Sequence, residues 1–378
     1  MKDKLISYFN TKEKEIFDTF NDLHLIPEIG FQEFKTAEYL AKRLEASNYK
    51  VKTKVGGTGV IGILDSGIPG PCIGLRADMD ALLHEIDGEL VAVHSCGHDA
   101  NCTIVLSVAE ALASLGLPKK GQLRIVFQPA EETLSGAKAL LESKEMEGLD
   151  YLLGTHLRPL EELSFGMIAP SVRHGASSIM EVEIIGSDAH GARPHQGVNA
   201  IDAACSAIVA ANSIRIDPRI PHSLKATMIK SGGTAFNVIP GKAELAFDMR
   251  AQTNEVMMEL RKSLLNAVEN SAASCGAKAI CKLRGGVPAA QDSDEVIDIA
   301  RKSISYVLGE DGVSGCVSTS GGEDFHEYSY NMKGLKTTIL GIGADLTPGL
   351  HKPEMTFNHE ALIHGASVMA LMVYEIQD

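Results

Sequence analysis

Apolar positions along the 378-residue chain fall into two regimes. In the first, short runs are almost continuously apolar. GPCIGLRADMD carries one, QLRIVFQPAEE a second, LDYLLGTH a third and LKTTILGIG a late fourth. Unbroken runs of this length suit strands buried on both faces of a helix-covered sheet. Between the first two, CTIVLSVAEALASL predicts a buried helix. Upstream, Ile16, Phe17, Phe20 and Leu23 recur at helical spacing, and a second helix is expected over roughly 35–47. Strands alternating with helices make an α/β pattern.

The second regime begins near residue 177. Here MEVEI and KAELAFDM alternate apolar with polar, as half-exposed strands do. The order reads strand (IMEVEIIG), helix (NAIDAACSAIVAANSI), two strands (SLKATMIKSG and NVIPGKAELAFDMR), helix (NEVMMELRKSLLNAVENSAA), strand (KAICKLRGG). That is the β-α-β-β-α-β order of a ferredoxin-like α+β unit. Because the α/β pattern resumes after about residue 290, the unit reads as an insertion. The expected organisation is one domain of residues 1–176 and 290–378, interrupted by a second over 177–289.

Composition narrows the function classes. The chain is 44% hydrophobic and 22% charged, ordinary for a globular protein. A formal net charge of −14 argues against nucleic acid or an anionic membrane as partner. The charged opening MKDKLISYFNTKEKEIF has no apolar core of a signal peptide, and no apolar run reaches the ~18 residues of a membrane span. Seven scattered cysteines do not form a disulfide framework. A cytoplasmic protein is the expectation.

The chemistry gathers at the strand ends. Arg76, Asp78 and Asp80 close the first run, Glu131 and Glu132 follow the second, His156 follows the third, and His351 lies just beyond the fourth. HSCGHDAN, placed just before the buried helix, adds Cys96, His98 and Asp99. Open α/β sheets build their sites outside the carboxyl ends of the strands. Imidazole, carboxylate and thiolate together are the ligands of zinc and its borderline neighbours. Each residue alone has a plainer reading: Cys96 as a small buried hydrophobe, the glutamate pair as a solvated helix start, His156 as a core histidine, His351 as a loop residue. Their convergence favours a metal site. Adjacent glutamates at a turn point in different directions, so one can bind metal while the other moves protons.

RADMDAL, HSCGHDAN, QPAEE, GTH, DAHGARPHQGVNAI, FNVIPGKAELAFDMR, GGEDF and GLHKPEMTF, in this order, resemble the motifs of the aminoacylase/carboxypeptidase family of two-metal peptidases. The branch is that of hippurate hydrolase, auxin-conjugate amidohydrolases and bacterial N-acyl-amino-acid deacylases. The opening LHLIPEIGFQEFKTAEYL is similar to that branch too. The resemblance implies a helix-covered mixed-sheet catalytic domain with an inserted lid and dimerisation domain, and a homodimer formed through it. It implies two divalent ions, zinc or manganese with cobalt and nickel also compatible, held by Cys96, His98, Glu132, His156 and His351. It further implies Glu131 as general base and acid, Asp80 as support of the site, His190 as stabiliser of the oxyanion, and Asn237 and Arg250 as holders of the substrate carboxylate.

The implied reaction is hydrolysis of a small N-acyl amino acid, with a dipeptidase or carboxypeptidase as alternative. A thiol hydrolase using Cys96 and His98 would leave the other clusters idle and have poor geometry. A silent ligand-binding homologue is the rival from another class. The chain departs from the branch at Asn101, where C-G-H-D-x-H has its last histidine, at Leu83, where a proline is usual, and in a shortened segment before His94.

Overall fold

The computed structural model describes residues 1–377. The chain divides into two compact units. Unit 1 comprises Met1–Arg173, Gln291–Ser318 and the segment from Asp324 onward; unit 2 comprises His174–Ala290 with Thr319–Glu323. The short return segment 319–323 lies outside the insertion bounds expected from sequence.

Strands β1 (Lys50–Val55), β2 (Gly59–Asp65), β3 (Cys72–Asp78), β4 (Leu82–Ile86), β5 (Glu89–Val93), β6 (Gln122–Gln128), β7 (Tyr151–Pro159) and β8 (Ile168–Ala169) belong to unit 1. Unit 2 holds β9 (Ala176–Ile185), β10 (His222–Ser231), β11 (Lys242–Ala251) and β12 (Lys278–Arg284), and β13 (Lys336–Leu346) returns to unit 1. The helices are α1 (Lys2–Thr11), α2 (Glu13–His24), α3 (Phe34–Ala46), α4 (His98–Ser114), α5 (Gly136–Glu142), α6 (Ala200–Asn212), α7 (Asn254–Ser274), α8 (Asp294–Leu308), α9 (His326–Asn331) and α10 (Glu360–Gln377).

Among the described residues, the main sheet of unit 1 has seven strands in the order β1-β2-β6-β3-β7-β13-β8. Its centre, β6-β3-β7-β13, is parallel, and β1, β2 and β8 pair antiparallel at the flanks. The parallel strands are buried nearly throughout, as their unbroken apolar runs require. Helix α4 is buried on almost every side. It packs against α10, where a Cβ at Gly365 would stand 2.9 Å from Ile104 Cδ1, so the glycine permits the close approach. Each fully buried aliphatic such as Ile104 or Leu106 stabilises the unit by about 1.5–3 kcal/mol. Four parallel strands bring four carboxyl ends to one edge, where the polar residues gather.

Two local expectations need correction. HSCGHDAN does not merely precede the buried helix: Gly97, at φ +80°, turns the chain, and His98 is the first residue of α4. His156 does not follow its strand. It lies within β7, paired opposite Gly341 of β13, because β7 runs on to Pro159.

Unit 2 is a four-stranded antiparallel sheet in the order β10-β11-β9-β12 with α6 and α7 as its helices. Alternation sorts each strand. Val182, Ile184, Leu245 and Phe247 enter the unit's core with Leu260 and Leu264 of α7, while Glu181, Glu183 and Glu244 stay off it. Among the described residues, no helix is long and apolar enough to cross a membrane.

Candidate metal centre

The carboxyl ends of the parallel strands of unit 1 deliver one buried polar cluster. Cys96 comes from the loop before α4, His98 from the first turn of α4, Glu131 and Glu132 from the turn after β6, His156 from β7, and His351 from the segment after β13. Their donor atoms form three overlapping groups, each with all atoms within 4.8 Å: Cys96–His98–His156, Cys96–Glu132–His351 and His98–Glu131–Glu132. Cys96 Sγ is 3.6 Å from His156 Nε2, and Glu132 Oε1 is 3.8 Å from His98 Nε2 and 3.6 Å from His351 Nε2. Donors bound to one ion at about 2.0–2.3 Å have separations of this order.

The rings are held so that the right nitrogens face inward. His98 Nδ1–H donates to the backbone carbonyl of Asp80 at 2.9 Å, and His156 Nδ1–H donates to the carbonyl of Leu157 at 2.7 Å. With both protons placed on Nδ1, each Nε2 presents a lone pair to the cluster. His98 Nε2 and Glu132 Oε1 are buried without a hydrogen-bond partner. A cation between these two atoms would supply the partner that buried polar atoms ordinarily have. The residues therefore fit a divalent metal. His351 is 57% exposed in its side chain and adopts a left-handed φ of +62°; its N–H is tied to the carbonyl of Ser95 at 2.7 Å, beside Cys96.

Asp80 does more than orient an imidazole. Its carbonyl holds His98, while its carboxylate accepts the N–H groups of Glu131 at 3.1 Å and Glu132 at 3.0 Å. One residue thus sets both the histidine and the glutamate turn. Glu131 Oε2 lies 3.9 Å from His98 Nε2, so both glutamates reach the same imidazole, but Glu132 is also grouped with Cys96 and His351.

Burial and charge oppose each other throughout. Burial pushes the Cys96 thiol well above its ordinary range, only partly offset by His98. Burial also raises the Glu132 carboxyl, against His98 and His351. For His98, burial favours the neutral ring, but Asp78 and Cys96 outweigh it and raise the pKa well above the usual imidazole value. Burial would raise Asp78 too, yet His98 and Arg76 hold it below the usual carboxylate range. A divalent ion among these groups would reverse the balance for the thiol and the glutamate, making both anionic.

Beneath the cluster lies a buried network that sequence reasoning missed in part. Arg76 bridges Asp78 at 2.6 Å and Asp324 at 2.9 Å, and Gln128 bonds both Arg76 and Asp324. Asp324, from the GGEDF motif, also accepts the Ala137 N–H, and its own N–H lies 3.5 Å from Glu131 Oε1. Nothing local signals that Arg76 and Asp324 meet. Asn101, where the branch has histidine, donates to Asp78 Oδ1 at 2.8 Å. The amide nitrogen thus joins this network, while the buried Oδ1 of Asn101 has no hydrogen-bond partner.

The remaining predicted residues belong to unit 2. His190 is exposed on a two-residue strand opposite Val238; its Nδ1 accepts the Ala192 N–H at 3.0 Å, which leaves Nε2 as the donor. Asn237 lies in the turn just before Val238, and its carbonyl accepts the Gly191 N–H at 2.7 Å, next to His190. Arg250, near the end of β11, forks onto Asp248 at 2.9 and 3.1 Å. Its guanidinium is therefore already engaged with a carboxylate.

Comparison with known proteins adds an independent line. Residues 74–375 match the model of peptidase family M20/M25/M40. The chain is 31% identical to the hippurate hydrolase of Campylobacter jejuni over 363 residues, covering 93% of each protein. The structure resembles that of a putative aminohydrolase from methicillin-resistant Staphylococcus aureus, with a TM-score of 0.91, 26% identity and complete coverage of both chains. It also resembles a dinuclear metal-binding peptidase of Bacillus subtilis, with a TM-score of 0.80 and 25% identity over 97% of this chain and 99% of that one.

Proposed function

The chain belongs to peptidase family M20/M25/M40, a family of hydrolases, and on that premise we propose that it is a metal-dependent amidohydrolase acting on N-acyl amino acids. The observation that carries the reading is the pair of adjacent glutamates, Glu132 half-buried and grouped with Cys96 and His351, Glu131 buried beside it on the same Asp80-held turn. The kinship with hippurate hydrolase, named for cleaving an acyl amino acid, supports the substrate class. Kinship with a dinuclear metal-binding peptidase supports two divalent ions.

In this reading Cys96, His98, Glu132, His156 and His351 hold the ions. Divalent ions bound there supply Lewis-acid polarisation of the scissile carbonyl and a more acidic water. Glu131, a carboxylate left outside the ligand set, would accept a proton from the attacking water and pass it to the leaving nitrogen. Asp80 keeps Glu131 and His98 in register through the bonds described above. His190 donates from Nε2 to the developing oxyanion, and Asn237 and Arg250 hold the substrate carboxylate, Arg250 by sharing or exchanging its fork with Asp248. The inserted domain, residues 177–289, serves as lid and dimer contact, and the protein works as a cytoplasmic homodimer.

The test is turnover of acetyl-, benzoyl- and longer-chain acyl amino acids by protein reloaded separately with zinc, manganese, cobalt or nickel. Release of free amino acid by at least one metal form is the expected result. Tight binding across the panel with no hydrolysis by any form would instead make the chain a silent binding homologue.

A further inference from the structure

The segment between α2 and α3 supports the glutamate turn from behind. It is anchored at both ends: the Ala81 N–H donates to the carbonyl of Glu28 at 2.8 Å, and Ile29 bridges Ala81. The Glu28 carboxylate caps the start of α3 through the N–H groups of Lys35 and Thr36. Two residues of the segment then meet Ala130, which immediately precedes Glu131. Gly30 abuts it so closely that a Cβ there would stand 3.0 Å from both Cα and Cβ of Ala130. Glu33, 0% exposed, accepts the Ala130 N–H on Oε1 at 2.8 Å and the Thr58 hydroxyl on Oε2.

Ala130 is left-handed, with φ at +52°. An L-residue stays there only when its surroundings impose it. The reversal turns three successive N–H groups, those of Ala130, Glu131 and Glu132, onto two buried carboxylates, Glu33 for the first and Asp80 for the next two. Both glutamate side chains then come within 3.9 Å of His98 Nε2. A buried carboxylate without a basic partner among the described ion pairs is costly, and Glu33 spends it on holding this turn. We propose that Glu33 is a positioning residue for the Glu131–Glu132 pair, fixing Ala130 in its left-handed conformation through the backbone N–H. The inference rests on the roles given to those glutamates above.

The test compares Glu33→Ala, Glu33→Gln and Gly30→Ala in the full chain, with steady-state kinetics and the visible absorption of cobalt-loaded protein. Glutamine keeps an acceptor for Ala130 and can donate to Thr58, so it should retain kcat within about threefold and the wild-type cobalt bands. Alanine at 33 should lower kcat by roughly 10–100-fold, the usual cost of losing a residue that orients ligands, with KM little changed and the cobalt bands shifted. An alanine variant with wild-type kcat and spectrum would overturn the proposal. So would a glutamine variant as impaired as alanine, because charge rather than the acceptor would then be what matters. Should Glu33→Ala not fold, Gly30→Ala decides: lowered kcat with shifted bands supports the proposal, and wild-type values sink it. Wild-type protein that hydrolyses nothing would contradict the functional reading, whereas the cobalt spectra would still decide the role of Glu33.

Discussion

The two units carry their candidate residues in opposite ways. In unit 1, His98, Asp80 and Glu131 are buried, and each is held by a backbone or carboxylate partner from a different strand end. In unit 2, His190 and Asn237 are exposed at a small ladder, and Arg250 leans on Asp248 with 41% of its side chain exposed. A group that must meet a reacting atom gains from being fixed before the substrate arrives. A group that must accept varied substrates gains from freedom. The contrast implies that damage to the buried cluster of unit 1 strikes kcat and metal content, and damage to Asn237 or Arg250 of unit 2 strikes KM.

The largest effect should follow from removing the metal. Exhaustive chelation is expected to abolish hydrolysis and lower the melting temperature, since the groups gathered around Cys96, His98 and Glu132 would lose the cations proposed to bind there. Activity that survives chelation but is lost on thiol alkylation would mean a Cys96 nucleophile instead. Next comes Asp80→Ala, which removes the carboxylate that holds the glutamate turn and leaves in place the main-chain carbonyl that orients His98. A fall of about 10–100-fold in kcat or metal affinity is expected, measured by kinetics and by metal titration; an unaffected variant would erase the fixed-site side of the contrast. A comparable effect, confined to binding, should come from Arg250→Ala. It should raise KM by about 10–100-fold, equivalent to the ~1.5–3 kcal/mol of a charged hydrogen bond, while leaving kcat within a few-fold. If kcat fell instead and KM held, unit 2 would be part of the fixed machinery.

Much of this contrast was legible in the sequence, for physical reasons. Strands buried on both faces announce themselves as unbroken apolar runs, and β3, β6, β7 and β13 did so. The edge strand β1, KVKTKV, is half exposed and has only Val51 and Val55 as apolar residues, so no apolar run marks it. The start of α4 was hidden because His98, Asp99 and Asn101 are polar yet buried, serving the site rather than the core pattern. The β4–β5 hairpin did leave a signal: Asp87 and Gly88 are both left-handed, as an Asp-Gly type I′ turn demands. What could not be read was the set of contacts between remote segments, Glu33 with Ala130 or Arg76 with Asp324, because neither partner carries a local mark of the other. The residue types are plain in the sequence; the parallel sheet brings them together.

The central claim is the division of labour between two neighbouring glutamates, and one variant addresses it directly. Glu131→Gln should keep two divalent ions per chain by elemental analysis while kcat falls by at least about a hundredfold, the lower range for losing a general base. A variant that turns over at the wild-type rate, or that loses its metal along with its activity, would contradict the account.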